Sequence, residues 1–334
     1  MKDILIHFSN QSLRNNAIFD GEDFNGLQKP WRALREKLGT LGYRFRTADD
    51  NTLDTCAAIV FFDSDSLTPT SRNLYKEALE KGFDKNLALI LWETESVKKG
   101  NYSPELYKKF STIFTWNDAL VDNKKFFKFC LPYPHRKEIS PVHYKEKKTL
   151  VNISINKESR GSDELYTHRR KSVSFFEKHL KEEFDLFGYR WNQPINKWQK
   201  LLPFLVRHHP RYQGICQDKI SVLSKYKFAL CYENTRGLQG YITEKIFDCF
   251  NAKTIPIYWG AENIKDYVDE AAFIDRRKFK TDQELLDFLL KMDESTYNKY
   301  IQAITTYLTS ARYKSFLPEH FASTLSQKLL TIAK

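Results

Sequence analysis

The chain has 334 residues, enough for two domains of ordinary size, and 41% hydrophobic residues with 15% aromatics to fill their cores. Its 53 Lys and Arg against 42 Asp and Glu leave a net charge of +11, which favours nucleotides, anionic lipid surfaces or nucleic acid as partners. Nucleic acid is not expected, because no zinc-finger spacing, RNP-like aromatic pair or recognition helix accompanies the charge.

No run of about 18 apolar residues occurs, and residues 4–8 are too short for a signal-peptide core, so the encoded form reads as soluble and cytoplasmic. Peripheral attachment to the inner membrane surface is left open by the charge. Five scattered cysteines (Cys56, Cys130, Cys216, Cys231, Cys249) without CxxC spacing argue for reduced core thiols, not a disulfide framework or structural zinc.

In chain order, residues 4–8 read as a strand, 29–41 as a helix with Pro30 near its start and Gly42 past its end, and 43–46 as a second strand. Strands follow at 57–62, 87–92 and 113–116, separated by helices near 72–82 and 104–110. Such alternation predicts a doubly wound parallel sheet, so residues 1–135 form one α/β domain.

Two acidic groups lie at strand ends there. Asp63-Ser-Asp65 is a DxD after an apolar strand, a pattern that can hold a divalent ion against a diphosphate, although the two carboxylates equally suit a cap or a turn. Glu93 and Glu95 follow the strand at 87–92, at the edge where an open α/β sheet faces its ligand.

Pro132, Pro134 and the charged residues up to Lys148 break the periodicity, which places an interdomain linker at 136–148. Residues 149–310 then read as a second α/β domain and 311–334 as a helical tail. Its elements are a strand at 150–155, a helix at 165–182 with Val173, Phe176 and Leu180 as a core stripe, and a strand at 184–188. His208 and His209 read as loop residues without a suitably spaced metal partner.

A helix at 219–226 leads into the most informative stretch. Phe-Ala-Leu-Cys-Tyr-Glu-Asn (228–234), Gly-Tyr-Ile-Thr-Glu-Lys-Ile (240–246) and Thr-Ile-Pro-Ile-Tyr-Trp-Gly (254–260) form a β-loop-α-β unit. Thr243 is placed to cap a helix over 244–251, Glu244 adds negative charge at its positive end, and Pro256 marks a strand start or an edge. Such a unit aims a helix N-terminus at an anion, typically a phosphate. A final strand at 273–275 and helices at 282–292, 294–310 and 318–333 complete the chain.

Those three blocks, about 35 ordered positions, resemble the signature of the α-1,3-fucosyltransferase family, the glycosyltransferase family 10 type that uses GDP-fucose. The segment between Asn234 and Tyr241 is slightly longer than in family members. The resemblance implies an α/β fold of the GT-B class, with two Rossmann-like domains facing each other across a cleft and C-terminal helices crossing back. It also implies a nucleotide site in the second domain and inversion at the sugar carbon.

Carried over residue by residue, the resemblance points to Glu93 as general base with Glu95 the alternative, and to Arg169 on the diphosphate with Arg170 the fallback. Glu233, Asn234, Tyr241, Thr243, Glu244 and Lys245 would hold the donor, Glu244 at the ribose and Lys245 at the β-phosphate. The implied reaction moves fucose from GDP-fucose to a glycan, O3 of N-acetylglucosamine in an N-acetyllactosamine-like acceptor, with no cofactor and no essential divalent cation. A different nucleotide-sugar donor with metal dependence through Asp63 and Asp65, or a non-catalytic phosphate-rich glycan-binding module, are the competing readings.

Overall fold

The computed structural model describes residues 1–22, 26–49, 52–68, 72–134, 142–159 and 161–333. The chain forms two compact units, one of Met1–His135 with Lys314–Lys334 and one of Arg136–Tyr313. Among the described residues no helix is long and apolar enough to cross a membrane.

The first unit is a six-stranded parallel sheet of β1 (Lys2–His7), β2 (Tyr43–Thr47), β3 (Cys56–Phe62), β4 (Leu87–Leu91), β5 (Thr112–Thr115) and β6 (Phe126–Lys128) in the order β2-β1-β3-β4-β5-β6. Strands β3 and β4 are continuous apolar runs because helices cover both of their faces. Helix α1 (Lys29–Thr40) buries Trp31, Leu34 and Leu38, and α2 (Leu74–Glu80) buries Leu74 and Ala78. The C-terminal helix Pro318–Ile332 also belongs to this unit, its Phe321 ring lying 5.4 Å from Trp31 in an edge-on pair.

Strand β6 was not legible in the sequence. It is three residues long and follows a turn in which the Asp122 carboxylate takes the backbone N–H groups of Lys124, Lys125 and Phe126, each at 2.8 Å. So short an edge strand carries no periodicity.

The second unit is a five-stranded parallel sheet of β7 (Lys148–Ile153), β8 (Phe184–Phe187), β9 (Tyr226–Tyr232), β10 (Ile255–Trp259) and β11 (Ile274–Asp275) in the order β11-β10-β9-β7-β8. Helix α3 (Tyr166–Leu180) buries Val173, Phe176 and Leu180 against it. Helix α4 (Glu244–Asn251) connects β9 to β10 and is buried along Ile246–Phe250. Pro256 is tolerated inside β10 because it sits at the strand's second residue, and β11 pairs only with Ile257 and Tyr258 beyond it.

Of the linker expected at 136–148, residues 136–141 lie outside the described residues. Beyond them, the Tyr144 ring lies 5.0 Å from Tyr297, tilted by 53°, and its hydroxyl donates to the Met292 carbonyl at 3.1 Å. Lys147 is buried, its ammonium donating to the Lys253 carbonyl at 2.7 Å, and burial pulls its pKa from 10.5 to about 8. The folded form therefore gives up this proton before the unfolded chain does. Stability should rise between pH 8 and 10.5, by about 3 kcal/mol for a shift of this size. Urea titrations across that range should show the rise in the wild type and lose it in Lys147→Met; equal slopes would refute the assignment.

Candidate active site

In an open α/β sheet, ligands gather beyond the carboxyl ends of the strands at the point where strand order reverses. In the second unit that point lies between β7 and β9, since β8 extends the sheet on one side of β7 and β9 on the other. The chain leaves β9 at Tyr232 and places Glu233 at this point, completely buried.

A buried carboxylate must be neutralised or fully hydrogen-bonded. Glu233 accepts from the Thr243 backbone N–H at 2.9 Å, from the Thr243 hydroxyl at 2.8 Å and from the Lys245 ammonium at 3.0 Å. The expected cap is corrected by this geometry: the Thr243 hydroxyl donates to Glu233 and accepts from the Lys245 ammonium at 2.9 Å, not from a backbone N–H of the first turn of α4. A loop residue and a helix start ten positions apart in sequence are thereby locked into one unit.

Gly260 completes the lock. A Cβ there would come 2.4 Å from Glu233 Cγ and 2.6 Å from the Tyr258 hydroxyl. Gly260→Ala is thus expected to lower stability by about 1–3 kcal/mol, measured by urea unfolding, and to weaken nucleotide binding as Glu233 shifts. Unchanged values would show that the carboxylate has room to move.

Lys245 remains charged, because the Glu233 and Glu244 carboxylates outweigh the burial that opposes its charge and raise its pKa. Glu244 is half exposed, with Lys245 Nζ 3.6 Å from its carboxylate. The Lys245 and Lys219 ammonium groups hold its carboxyl below the usual carboxylate range. Lys219 itself pairs with Asp248 of α4 at 2.6 Å. Together with Ser154 at the end of β7, Arg169, Lys219 and Lys245 line a small cavity of about 20 Å³.

Arg169, from the first turns of α3, is 3% exposed. Its guanidinium donates to the Tyr232 carbonyl at 2.5 Å and to the Glu233 carbonyl at 2.9 Å. It thus ties α3 to the end of β9 as well as facing the cavity. Arg170, one residue on and turned about 100°, bonds the Lys157 carbonyl at 2.5 Å and the Thr167 hydroxyl at 2.8 Å, away from this cluster.

Asn234 is half-buried and its carbonyl accepts from the Leu165 N–H at 3.0 Å, joining the loop to the start of α3. Tyr241 is 4% exposed, and its carbonyl accepts from the Tyr258 hydroxyl at 3.4 Å.

A cleft of about 570 Å³ opens beyond the ends of β10 and β11 and adds residues that the sequence did not single out. Its walls carry His168, Arg236, Trp259, Arg276, Arg277 and Lys280, with Asp163 and Glu262 as acids. Arg276 is 9% exposed and spread over Asp282 at 2.8 Å, the Tyr232 hydroxyl at 3.1 Å and the face of Trp259 at 5.6 Å. Arg277 forks onto Asp275 with two bonds of 2.8 Å. Lys280 is exposed, and its ammonium has no ion pair among the described residues.

The His168 ring lies 4.7 Å from Trp259, and burial, Arg236 and Lys171 lower its pKa, so it is neutral at pH 7. In this cleft an uncharged aromatic wall stands beside a row of fixed cations, the arrangement that takes a planar group joined to an anion. Only the folded order of strand ends brings these residues together.

In the first unit, Glu93 is half-buried just after β4 and Glu95 is exposed two residues on. Asp63, fully buried with φ 57°, holds the turn they share. Its carboxylate accepts from the N–H groups of Trp92 at 2.7 Å and Glu93 at 3.3 Å and from the Asn101 amide at 2.7 Å. Asp65 pairs with Lys98 at 2.7 Å, and the same ammonium stands 3.4 Å from Asp63. An ammonium thus occupies the place that a cation would need between the two carboxylates of the DxD. Among the described residues there is no group of three or more His, Cys, Asp or Glu that could hold a metal.

His209 lies in irregular chain between elements, as expected, but not at the surface. It is buried, and its Nδ1 meets the Glu177 carboxylate of α3 at 3.1 Å, a partner 32 positions away that spacing could not reveal.

An α-(1,3)-fucosyltransferase of Helicobacter pylori is 42% identical over 73 residues, 22% of this chain and 15% of that protein. An α-(1,4)-fucosyltransferase of Arabidopsis thaliana is 39% identical over 80 residues, 23% of this chain and 20% of that protein. The matched stretches thus cover at most a fifth of these relatives' own lengths. A crystal structure of an α1,3-fucosyltransferase with GDP-fucose aligns with a TM-score of 0.58 at 16% identity, over 98% of this chain and 90% of that one. Each unit has the α/β architecture of the GT-B class, as expected. The family model described as glycosyltransferase family 10 (fucosyltransferase), C-terminal part, matches residues 145–325, more than half of the chain, and the chain therefore belongs to that family.

Proposed function

We propose that the protein transfers L-fucose from GDP-fucose to O3 of N-acetylglucosamine in an N-acetyllactosamine-like glycan, with inversion, forming an α-1,3 linkage. The observation that carries the reading is the buried Glu233–Thr243–Lys245 unit at the helix start on the switch point of the second sheet. It lies inside the stretch that resembles the family signature.

The departing GDP carries negative charge that must be met as the C1–O bond breaks. Lys245 supplies a charge held in place by Glu233, Arg169 and Lys219 add two more at the same cavity, and the cations of the larger cleft supply the rest. Glu244, ionised and half exposed at the first turn of α4, is suited to accept from ribose hydroxyls. Trp259 and neutral His168 offer a stacking wall. Glu93, or Glu95 in its place, takes the proton of the acceptor hydroxyl as that oxygen attacks C1 from the face opposite GDP.

With fixed side-chain cations at the diphosphate, turnover is expected to survive EDTA, measured as product per minute before and after chelation. Loss of activity, restored by a divalent ion, would overturn this part of the reading. The donor is tested by thermal shift with GDP, UDP, ADP and CMP: GDP at about 100 times its dissociation constant should add about 2.7 kcal/mol of stability. Protection by another nucleotide alone would sink the assignment. Mass spectrometry of products from a panel of glycans then reads the acceptor and linkage, and an O4 product, as the Arabidopsis relative's name describes, would replace the α-1,3 reading.

A further inference from the structure

Between β8 and the short helix Lys219–Leu223, the chain makes an excursion that the donor assignment does not use. Its base is pinned. Trp191 is buried with its indole N–H on the Ser154 carbonyl at 2.7 Å, and His209 at the other end bonds Glu177. The two ends also meet each other, the His209 N–H donating to the Asn192 side chain at 3.0 Å. The chain then rejoins the sheet alongside β8, where the Gln213 N–H reaches the Leu186 carbonyl at 2.8 Å.

The tip is unlike the base. Trp198 is 69% exposed, Leu201 70%, Leu202 36%, Phe204 78% and Leu205 47%, so five large apolar side chains are exposed along one turn of helix (Lys197–Leu201) and the residues after it. Isolated apolar residues on a surface need no explanation, but five exposed within the eight positions 198–205 do. Lys197, Lys200 and Arg207 are interleaved with them and exposed.

Charge identifies the occupant. Residues 186–217 contain Arg190, Lys197, Lys200, Arg207 and Arg211 and not one Asp or Glu across 32 positions, where the average for this chain would place about four. An acid-free apolar tip ringed by lysine and arginine matches the headgroup boundary of an anionic bilayer: Trp, Leu and Phe enter the interface and the cations stay at the phosphates. The tip is also only about ten residues long, against roughly 20–30 a side in a standard protein–protein interface.

We propose that this excursion docks the protein onto an anionic lipid surface, with Trp198, Leu201, Phe204 and Leu205 inserted and Lys197, Lys200 and Arg207 at the phosphates. The assignment is independent of the sugar donor. The pinned base gives the tip a fixed position on the second unit, so docking needs no refolding of the loop.

The test is flotation with vesicles of about 30% phosphatidylglycerol in phosphatidylcholine against phosphatidylcholine alone. The wild type should float with the anionic vesicles only, and less as salt rises. Trp198→Ser/Phe204→Ser and Lys197→Glu/Lys200→Glu should each cut the bound fraction about tenfold or more. As surface changes they should keep the melting temperature within about 2 °C. As a second readout, brominated lipid should quench tryptophan fluorescence in the wild type and lose that effect in Trp198→Phe. Failure to float, equal binding to neutral vesicles, or variants that bind like the wild type would overturn the proposal. So would a wild-type dimer in sedimentation that Trp198→Ser/Phe204→Ser dissociates, since a second copy would then cover the tip.

Discussion

Lys245→Ala is expected to weaken GDP binding by about 1.5–3 kcal/mol, the scale of a charge-assisted hydrogen bond, which reads as roughly a 10- to 150-fold rise in dissociation constant. The loss has two sources that calorimetry combined with unfolding can separate. One is the contact of the ammonium with the nucleotide. The other is Glu233, 0% exposed, which would lose the ammonium paired with its carboxylate. Breaking a buried pair from one side costs about 3–5 kcal/mol, so the variant should also unfold earlier in urea.

Glu233→Gln with Lys245 intact removes the same pair but leaves the cation at the cavity. If GDP affinity falls in Lys245→Ala and is largely retained in Glu233→Gln, Lys245 acts on the ligand directly. If the two variants lose affinity equally, it acts by holding the loop. An unchanged affinity in Lys245→Ala removes it from the nucleotide site altogether.

Replacing Glu93 by Gln should lower kcat about 10²- to 10⁴-fold, the range for loss of a general base, with GDP affinity unchanged. Both Glu93 and Glu95 follow β4, but their settings differ. The Glu93 backbone is held on both sides: its N–H meets Asp63 at 3.3 Å and its carbonyl accepts from Asn101 at 3.2 Å and from the Tyr102 hydroxyl at 3.4 Å. Glu95 is exposed on the following turn. A base works best when its position is fixed before the substrate arrives, which favours Glu93. Parallel assays of Glu93→Gln and Glu95→Gln decide between them, and full activity in both would remove this turn from the chemistry.

The same turn shows how far sequence reading reaches. Asp63 and Asp65 have the spacing of a metal motif, and only the folded chain shows Lys98 lying between their carboxylates and the Asp63 oxygen bound to the Trp92 and Glu93 backbone. Arg169 and Arg170 are neighbours in sequence with opposite fates: one is buried against β9, while the other ties α3 to the preceding loop at Lys157. A helix turning about 100° per residue separates them, but which one turns inward depends on where β9 ends.

By itself the sequence determined what is local. Alternation of apolar runs with amphipathic stretches located ten of the eleven strands among the described residues, because burial on both faces demands continuous apolar strands and burial on one face sets helical spacing. The block from 228 to 260 likewise located the helix start that faces the switch point. What tertiary structure alone decided is pairing over distance. Glu233 with Thr243 and Lys245, His209 with Glu177, and the row of Arg236, Trp259, Arg276 and Lys280 along one cleft depend on which strands lie side by side. That order is set by packing of the whole sheet, which no spacing along the chain encodes.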